Sequence, residues 1–460
     1  MQSNPQDKYD GMVKNFLFKT HGCILVVSSD LNFTKLFRNA IKHIDDKFEH
    51  VIFLNNTNET IKTISNIRDE YKIIIIVIES TINGKSTVHI FKQIKNDFYE
   101  CTKLICTTPE VDRKTLIYLS EIGADNVIIK PVTMNCIIQK LALTINPNNN
   151  ISKLVDGVRN LINKGELAQA SKLVEYIFRE KPGSTVGYIL MGDIHKKNNE
   201  FDKAEFAYKV ASNNSKLYIE PLKKLAELFH ETGDTSKKLE YLKQLDTLSP
   251  LNHIRKIEIG ESHLELGDNE RAKFYFGEGV KLLKKSNDES MSNTLMEIGL
   301  KLKDKDPQSS LEYMEQAVSI KDTYLSKDDI WMINEIGIHL RKAGKRLEAI
   351  EYYKKALTIS KNDGAIHYNI GMAYTELNRH EEALKHFEMA VNLTPEILRH
   401  GPQVSYNIGR VYKVEDRLSD ALKFFQICYD MDNSFKDVSE EITILNRVLN
   451  VKMYDYKPEK

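Results

Sequence analysis

Small residues recur at fixed places through the last two thirds of the chain, and this regularity restricts the fold more than any other feature of its 460 residues. Gly192, Ala226, Gly260, Gly299, Gly337, Gly371 and Gly409 hold one position, and Ala170, Ala204, Ala272, Ala349, Ala383 and Ala421 hold a second. The spacing returns repeatedly to about 34 residues, the mark of an internal repeat built from helix pairs. Two antiparallel helices approach closely only where side chains are short. The large residues Tyr208, Phe276, Tyr353, Phe387 and Phe425 then fill the space beside those short positions. Pro182, Pro250 and Pro395 end second helices of the units.

The pattern covers residues 151–433, about eight units, and is irregular in places. Junctions at 280–292 and 394–402 are longer than the period, and a further slip falls at 321–330. Lys238 stands at the second small position of the third unit and Val158 at the first of the first unit, so those pairs are expected to pack differently. Residues 434–460 read as a capping helix and tail, which a stack of repeats needs at its open end.

A different period governs residues 21–146. Apolar runs at 23–27, 50–54, 72–78, 102–107 and 126–130 alternate with amphipathic stretches, the sequence form of a doubly wound five-stranded parallel sheet. The runs are apolar throughout, as strands covered on both faces require. Between the two periods lies "INPNNN", turn chemistry that marks 147–150 as a linker. Residues 1–20 read as a leader without an h-region. The fold class is therefore α/β followed by an all-α solenoid.

On these residues the second half resembles the tetratricopeptide repeat (TPR) family. The first half resembles the receiver domain of bacterial response regulators, through "ILVVSSD", "IIIIVIES", "LICTT" and "GADNVIIKPV" in that order. The receiver resemblance implies a phosphoacceptor site at the strand ends. By position the hydroxyl residue is Thr107 and the lysine is Lys130, with Pro131 expected after a cis peptide. Where the family has its acidic pair this chain has Ser28 and Ser29, and Glu79 replaces the acceptor aspartate. Serine hydroxyls are poor ligands for a hard divalent cation, so metal-assisted phosphorylation is expected to fail and no metal or other cofactor is expected. Asp30 falls one position late and is read as a helix cap. Val127 stands where the family commonly has an aromatic residue. Two accounts of the altered site remain: Glu79 pairs with Lys130 and imitates part of a phosphate's charge, or the site has decayed and the domain serves as a docking unit.

The stretch "ESTINGKST" also spells a P-loop with its first glycine replaced by Glu79. A carboxylate at that place repels a triphosphate, and no later strand ends in the Mg-holding aspartate that a nucleotide hydrolase requires. In the repeats, Tyr368, Asn369, Tyr406 and Asn407 occupy equivalent places in two "YNIG" segments, and asparagine amides there suit a ligand backbone. Arg410 and Lys413, with Arg341 and Lys342 one stack earlier, suggest a basic lining for an acidic peptide; the alternative is solvated faces and local caps. His195, His263, His339, His367 and His386 show no common spacing to acids or cysteines.

Lys plus Arg and Asp plus Glu balance at 65 each, leaving no bulk field to draw the chain onto nucleic acid or an anionic membrane. Five cysteines without a C-x-x-C pair spell neither a disulfide framework nor a zinc site. No apolar run approaches the roughly 18 residues of a membrane span, and a cytoplasmic protein is expected. The expectation is a non-enzymatic signalling scaffold in which a phosphorylation-incompetent receiver-like domain is coupled to a TPR domain that holds a protein or peptide. The alternatives are a phosphorylation-competent response regulator with TPR output and a nucleotide-binding enzyme using the loop from Ser80 to Thr87.

Overall fold

The computed structural model describes residues 5–145, 150–215, 218–286, 290–321 and 325–455. The expected linker at 147–150 lies outside these residues apart from Asn150, as do 287–289 and 322–324 within two irregular junctions and 456–460 of the tail. The chain forms two compact units, Met1–Met291 and Ser292–Lys460.

The first unit begins with a helix where the sequence suggested only a leader. Helix α1 (Pro5–Lys19) precedes strand β1 (Gly22–Val27), α2 (Leu31–Ile41), β2 (Val51–Leu54), α3 (Thr60–Ile67) and β3 (Ile73–Glu79). A two-strand hairpin, β4 (Thr81–Ile82) with β5 (Lys85–Ser86), leads to α4 (Val88–Asp97), β6 (Thr102–Thr108), α5 (Arg113–Glu121), β7 (Asn126–Ile129) and α6 (Met134–Ile145). The five long strands pair in parallel in the order β2-β1-β3-β6-β7. Counting only these strands, that is the flavodoxin-like order, with its switch point between β1 and β3.

Each sheet face has its own core. Val26, Ile75, Val77 and Ile105 pack with α2 and α6 on one side, and Leu25, Ile76, Ile78 and Leu104 pack with α4 on the other. Helix α1 adds Val13, Phe16 and Leu17 to the first side. A Cβ at Gly22 would lie 2.3 Å from the Phe16 ring, so glycine at the start of β1 is what lets α1 settle there.

The remainder is helical. In the first unit the pairs are α7 (Asn150–Asn163) with α8 (Leu167–Glu180), α9 (Thr185–Lys197) with α10 (Phe201–Asn214), α11 (Glu220–Glu231) with α12 (Thr235–Leu248), and α13 (His253–Glu265) with α14 (Asn269–Ser286). The second unit holds α15 (Met291–Leu302) with α16 (Pro307–Lys321), α17 (Ile330–Lys342) with α18 (Arg346–Ile359), α19 (Gly364–Glu376) with α20 (His380–Leu393), and α21 (Pro402–Val414) with α22 (Leu418–Met431). Helix α23 (Val438–Asp455) then buries Val438 and Leu445 against the last pair, as a cap does.

The small positions sit where helices touch. A Cβ at Gly192 would meet the Tyr208 ring at 2.3 Å, one at Gly337 the Tyr353 ring at 2.3 Å, and one at Gly409 the Phe425 ring at 3.1 Å. The alanines of the second series are fully buried. The third pair departs as its sequence suggests: Lys238 is buried at the small position, and Phe229 stacks on Tyr241 with ring centroids 5.7 Å apart.

These distances rank two substitutions. Gly337→Ala drives a methyl into a fully buried ring, an overpacking cost of about 1–3 kcal/mol that outweighs the roughly 1 kcal/mol gained in helix propensity. Gly409→Ala meets its ring at 3.1 Å and is the milder change. Thermal unfolding of the two variants is expected to show the larger drop in midpoint for Gly337→Ala; the reverse order would remove the close-approach account.

Candidate functional site

The crevice at the switch point is built by the ends of β1, β3 and β6. Strand pairing sets Val27 beside Ile78 and Glu79 beside Thr107, so side chains distant in sequence share one edge. Ser28 is buried and its hydroxyl donates to Glu79 Oε1. The Asp30 amide also donates to Glu79 Oε1, at 3.2 Å. Lys130 Nζ lies 3.4 Å from Glu79 Oε2 and 2.8 Å from Asp30 Oδ2. The same ammonium stands 4.7 Å from the centre of the Phe33 ring. The Lys130–Pro131 peptide is cis.

The sequence treated Asp30 as a cap only. It caps α2, accepting from the amides of Asn32 and Phe33 at 2.9 and 3.0 Å, and its other oxygen takes the shorter of the two lysine contacts. As the extended residue between β1 and α2, Asp30 reaches Lys130 across the strand ends, a contact that counting positions along β1 does not reveal. Lys130 therefore bridges two carboxylates where a pairing with Glu79 alone was expected. Its hydrogen bond and the Phe33 amide hold the Asp30 carboxyl below its ordinary value.

Thr107 is 1% exposed, and its hydroxyl has no hydrogen-bond partner. A buried hydroxyl left unpaired costs free energy, so this atom stands out in an otherwise satisfied crevice. Ser29 is half-buried at the rim, and Val127 packs against the sheet core.

The P-loop letters fold as a hairpin. Thr81 pairs with Ser86 and Ile82 with Lys85, with Asn83 and Gly84 at positive φ in the two-residue turn. Asn-Gly is the strongest short hairpin signal because both central residues need φ above zero. The Thr87 hydroxyl donates back to the Glu79 carbonyl at 2.5 Å and its amide to the Ser80 carbonyl at 3.1 Å, closing the segment on itself. The segment is a hairpin, not an anion-wrapping loop.

In the second unit the predicted groove residues mostly serve the stack. The Asn407 amide donates to the Tyr368 hydroxyl at 3.0 Å, and the Asn369 amide to Asn334 Oδ1 at 2.8 Å, forming rungs between successive first helices. Tyr406 is buried and donates to Asp437, and Lys413 pairs with Glu441 on α23, so both clamp the capping helix. Burial and the Asp437 acceptor push the Tyr406 phenol up to about 12. Arg341 pairs with Glu376 on the next stack. Of the basic residues, Lys413 and Arg341 pair with glutamates on neighbouring helices, while Arg410 and Lys342 are exposed.

Two of the scattered histidines meet. Nδ1 of His367 on α19 lies 3.0 Å from Nδ1 of His386 on α20, and Tyr374 stacks on His386 at 5.6 Å. One imidazole must donate and the other accept, so the contact requires a neutral ring. Burial, then His367 and Lys354, hold His386 down at about 4, and burial lowers His367 too. Nothing in the local sequence signals this pair, which forms only when the two helices fold together. Among the described residues no cluster of three or more His, Cys, Asp or Glu is placed to hold a metal ion, and no helix is long and apolar enough to cross a membrane.

Residues 328–396 match the family described as Tetratricopeptide repeat. No curated protein matches the chain. Among solved structures it is similar to the APC/C hetero-tetramer Cut9-Hcn1, with 18% identity over 60% of this chain and 51% of that one and a TM-score of 0.31. It is also similar to the C-terminal part of a TPR repeat-containing protein from Cytophaga hutchinsonii, with 11% identity over 63% and 99% of the two chains and a TM-score of 0.39. The P58(IPK) TPR domain gives 11% identity over 66% and 99%, with a TM-score of 0.26. The chain spans about half the length of the first of these structures.

Both clusters have a pH consequence. Asp30 has a lowered folded pKa, so its stabilisation is present above about pH 3.8 and is lost as pH falls toward the folded value. Lys130→Met is expected to return Asp30 toward 3.8 in a carboxyl NMR titration; no movement would mean that the cap amides alone hold it. The histidines also have lowered folded values, and the unfolded chain binds their protons first. Thermal midpoints are expected to fall as pH drops from 6.5 toward about 4. His386→Phe is expected to flatten that interval, and an unchanged profile would assign the loss to other groups.

Proposed function

We propose that the chain is a non-enzymatic signalling adaptor, in which a receiver-like domain with an internally bridged acceptor site is coupled to tetratricopeptide repeats that engage protein partners. The domain division follows the change of period at 147–150, with the receiver-like part before it and the repeats after. The observation that carries this reading is the bridge from Lys130 to both Asp30 and Glu79. An ammonium held between two carboxylates brings one of the two positive charges that a divalent cation would bring and ties both acids to one partner. With the lysine there and Ser28 donating to Glu79, the oxygens a hard cation needs are already engaged. Glu79 is held in one arrangement by three donors, which favours a permanently set domain over one that cycles.

A second reading is favoured by Thr107. Its unpartnered hydroxyl beside Glu79 has the chemistry to meet a phosphoryl oxygen, as a phosphorylation-competent regulator would use it. Incubation of the full chain with acetyl phosphate and Mg separates the two by intact mass. The adaptor reading expects no added phosphoryl group, with or without Mg. A stable Mg-dependent mass increase that maps to Glu79 or Asp30 would overturn it in favour of the second.

A further inference from the structure

Helix α5 has two apolar faces with different destinations. Leu119 enters the core beneath the sheet, whereas Ile117 packs against the cluster formed by α9 to α13. One turn after Ile117, Glu121 is almost fully buried and forms an ion pair with Arg255, which is 2% exposed. The Ser249 hydroxyl donates to Glu121 Oε2 at 2.8 Å. Arg255 Nη1 donates to the carbonyls of Leu245 and Ser249 at 2.7 and 3.0 Å, so the guanidinium is fastened to the end of α12 and aimed at α5. Burial lowers the Arg255 guanidinium to about 10.

The two apolar cores that this contact joins are separate. Strands and helices up to α6 supply both clusters on the sheet faces, and repeat residues supply every buried member of the cluster that Ile117 touches. At α5 the junction includes one partly buried isoleucine, one desolvated ion pair and the Ser249 hydrogen bond. A buried pair adds little net stability compared with apolar packing of the same volume, yet removing one partner is costly because the other stays charged and dry. Such a contact selects a geometry more than it adds stability. Helix α5 also follows the crevice directly: β6 ends at Thr108 and the Asp112 cap starts α5.

We infer that Arg255, Ser249 and the apolar cluster beside them form a docking site on the repeats for a helix carrying an apolar residue one turn ahead of a carboxylate, and that α5 occupies it in cis as a releasable latch. An acidic amphipathic helix from a partner competes for the same seat when α5 leaves. This deepens the proposed function, since it rests on the repeats being an interaction domain. Its probes are segments of this chain, so it can fail without that reading failing, and the state of Glu79 does not enter.

The test is hydrogen exchange by mass spectrometry on the full chain, wild type against Glu121→Gln and Arg255→Met. Each variant is expected to speed exchange about ten-fold or more in both 113–121 and 245–258, with β1 and β3 unchanged. A peptide of residues 111–123, locked as a helix by a staple away from Ile117 and Glu121, is then added to the Glu121→Gln chain. It is expected to restore protection at 245–258, and the same peptide with glutamine at position 121 is expected not to. Unchanged exchange in the variants, loosening that spreads to β1 and β3, or no restoration by the peptide would each overturn the latch.

Discussion

A ring seated where a neighbouring helix has no side chain is the contact from which the helical part is assembled. Tyr208 against Gly192 and Tyr353 against Gly337 bring paired helices closer than any larger residue allows, and the alanines opposite keep the second helix equally near. Because each pair buries its apolar face against the next, the contact propagates along the stack. It also fixes where polar groups fall. Asn334 and Asn369, or Tyr368 and Asn407, meet only because successive first helices are held in register.

The sheet domain obeys a different constraint, the requirement that charges at a partly buried strand edge be paired. Glu79 and Asp30 both point toward Lys130, and the backbone amide and hydroxyl donors around Glu79 complete the arrangement. One ammonium between two carboxylates leaves this edge at a net charge of −1, which the neutral amide and hydroxyl donors only partly offset.

Much of this architecture was legible in the residues. Strand positions followed from apolar runs, because a strand covered on both faces must be apolar throughout, and the helix pairs followed from recurring glycine and alanine. What the residues did not reveal shares one cause: the contacts are made between groups far apart along the chain. Asp30 caps α2 and also meets Lys130, 100 residues away in sequence. Lys413 and Arg341 pair with Glu441 and Glu376, which lie on other helices. His367 and His386, and likewise Glu121 and Arg255, are brought together only by tertiary packing. By contrast α1 left a trace in sequence, since Val13, Phe16 and Leu17 follow a helical spacing.

That first helix bears on how the sheet survives when isolated. Phe16 lies on Gly22, and Val13 and Leu17 fill the same side of the sheet. A fragment starting at the first strand would carry an open trough lined by β1 and α6, wettable only at a cost of roughly 25 cal/mol for each Å² of apolar surface uncovered. Molecules with such a trough relieve it by sticking to one another, so the opening residues act as a built-in guard of colloidal behaviour.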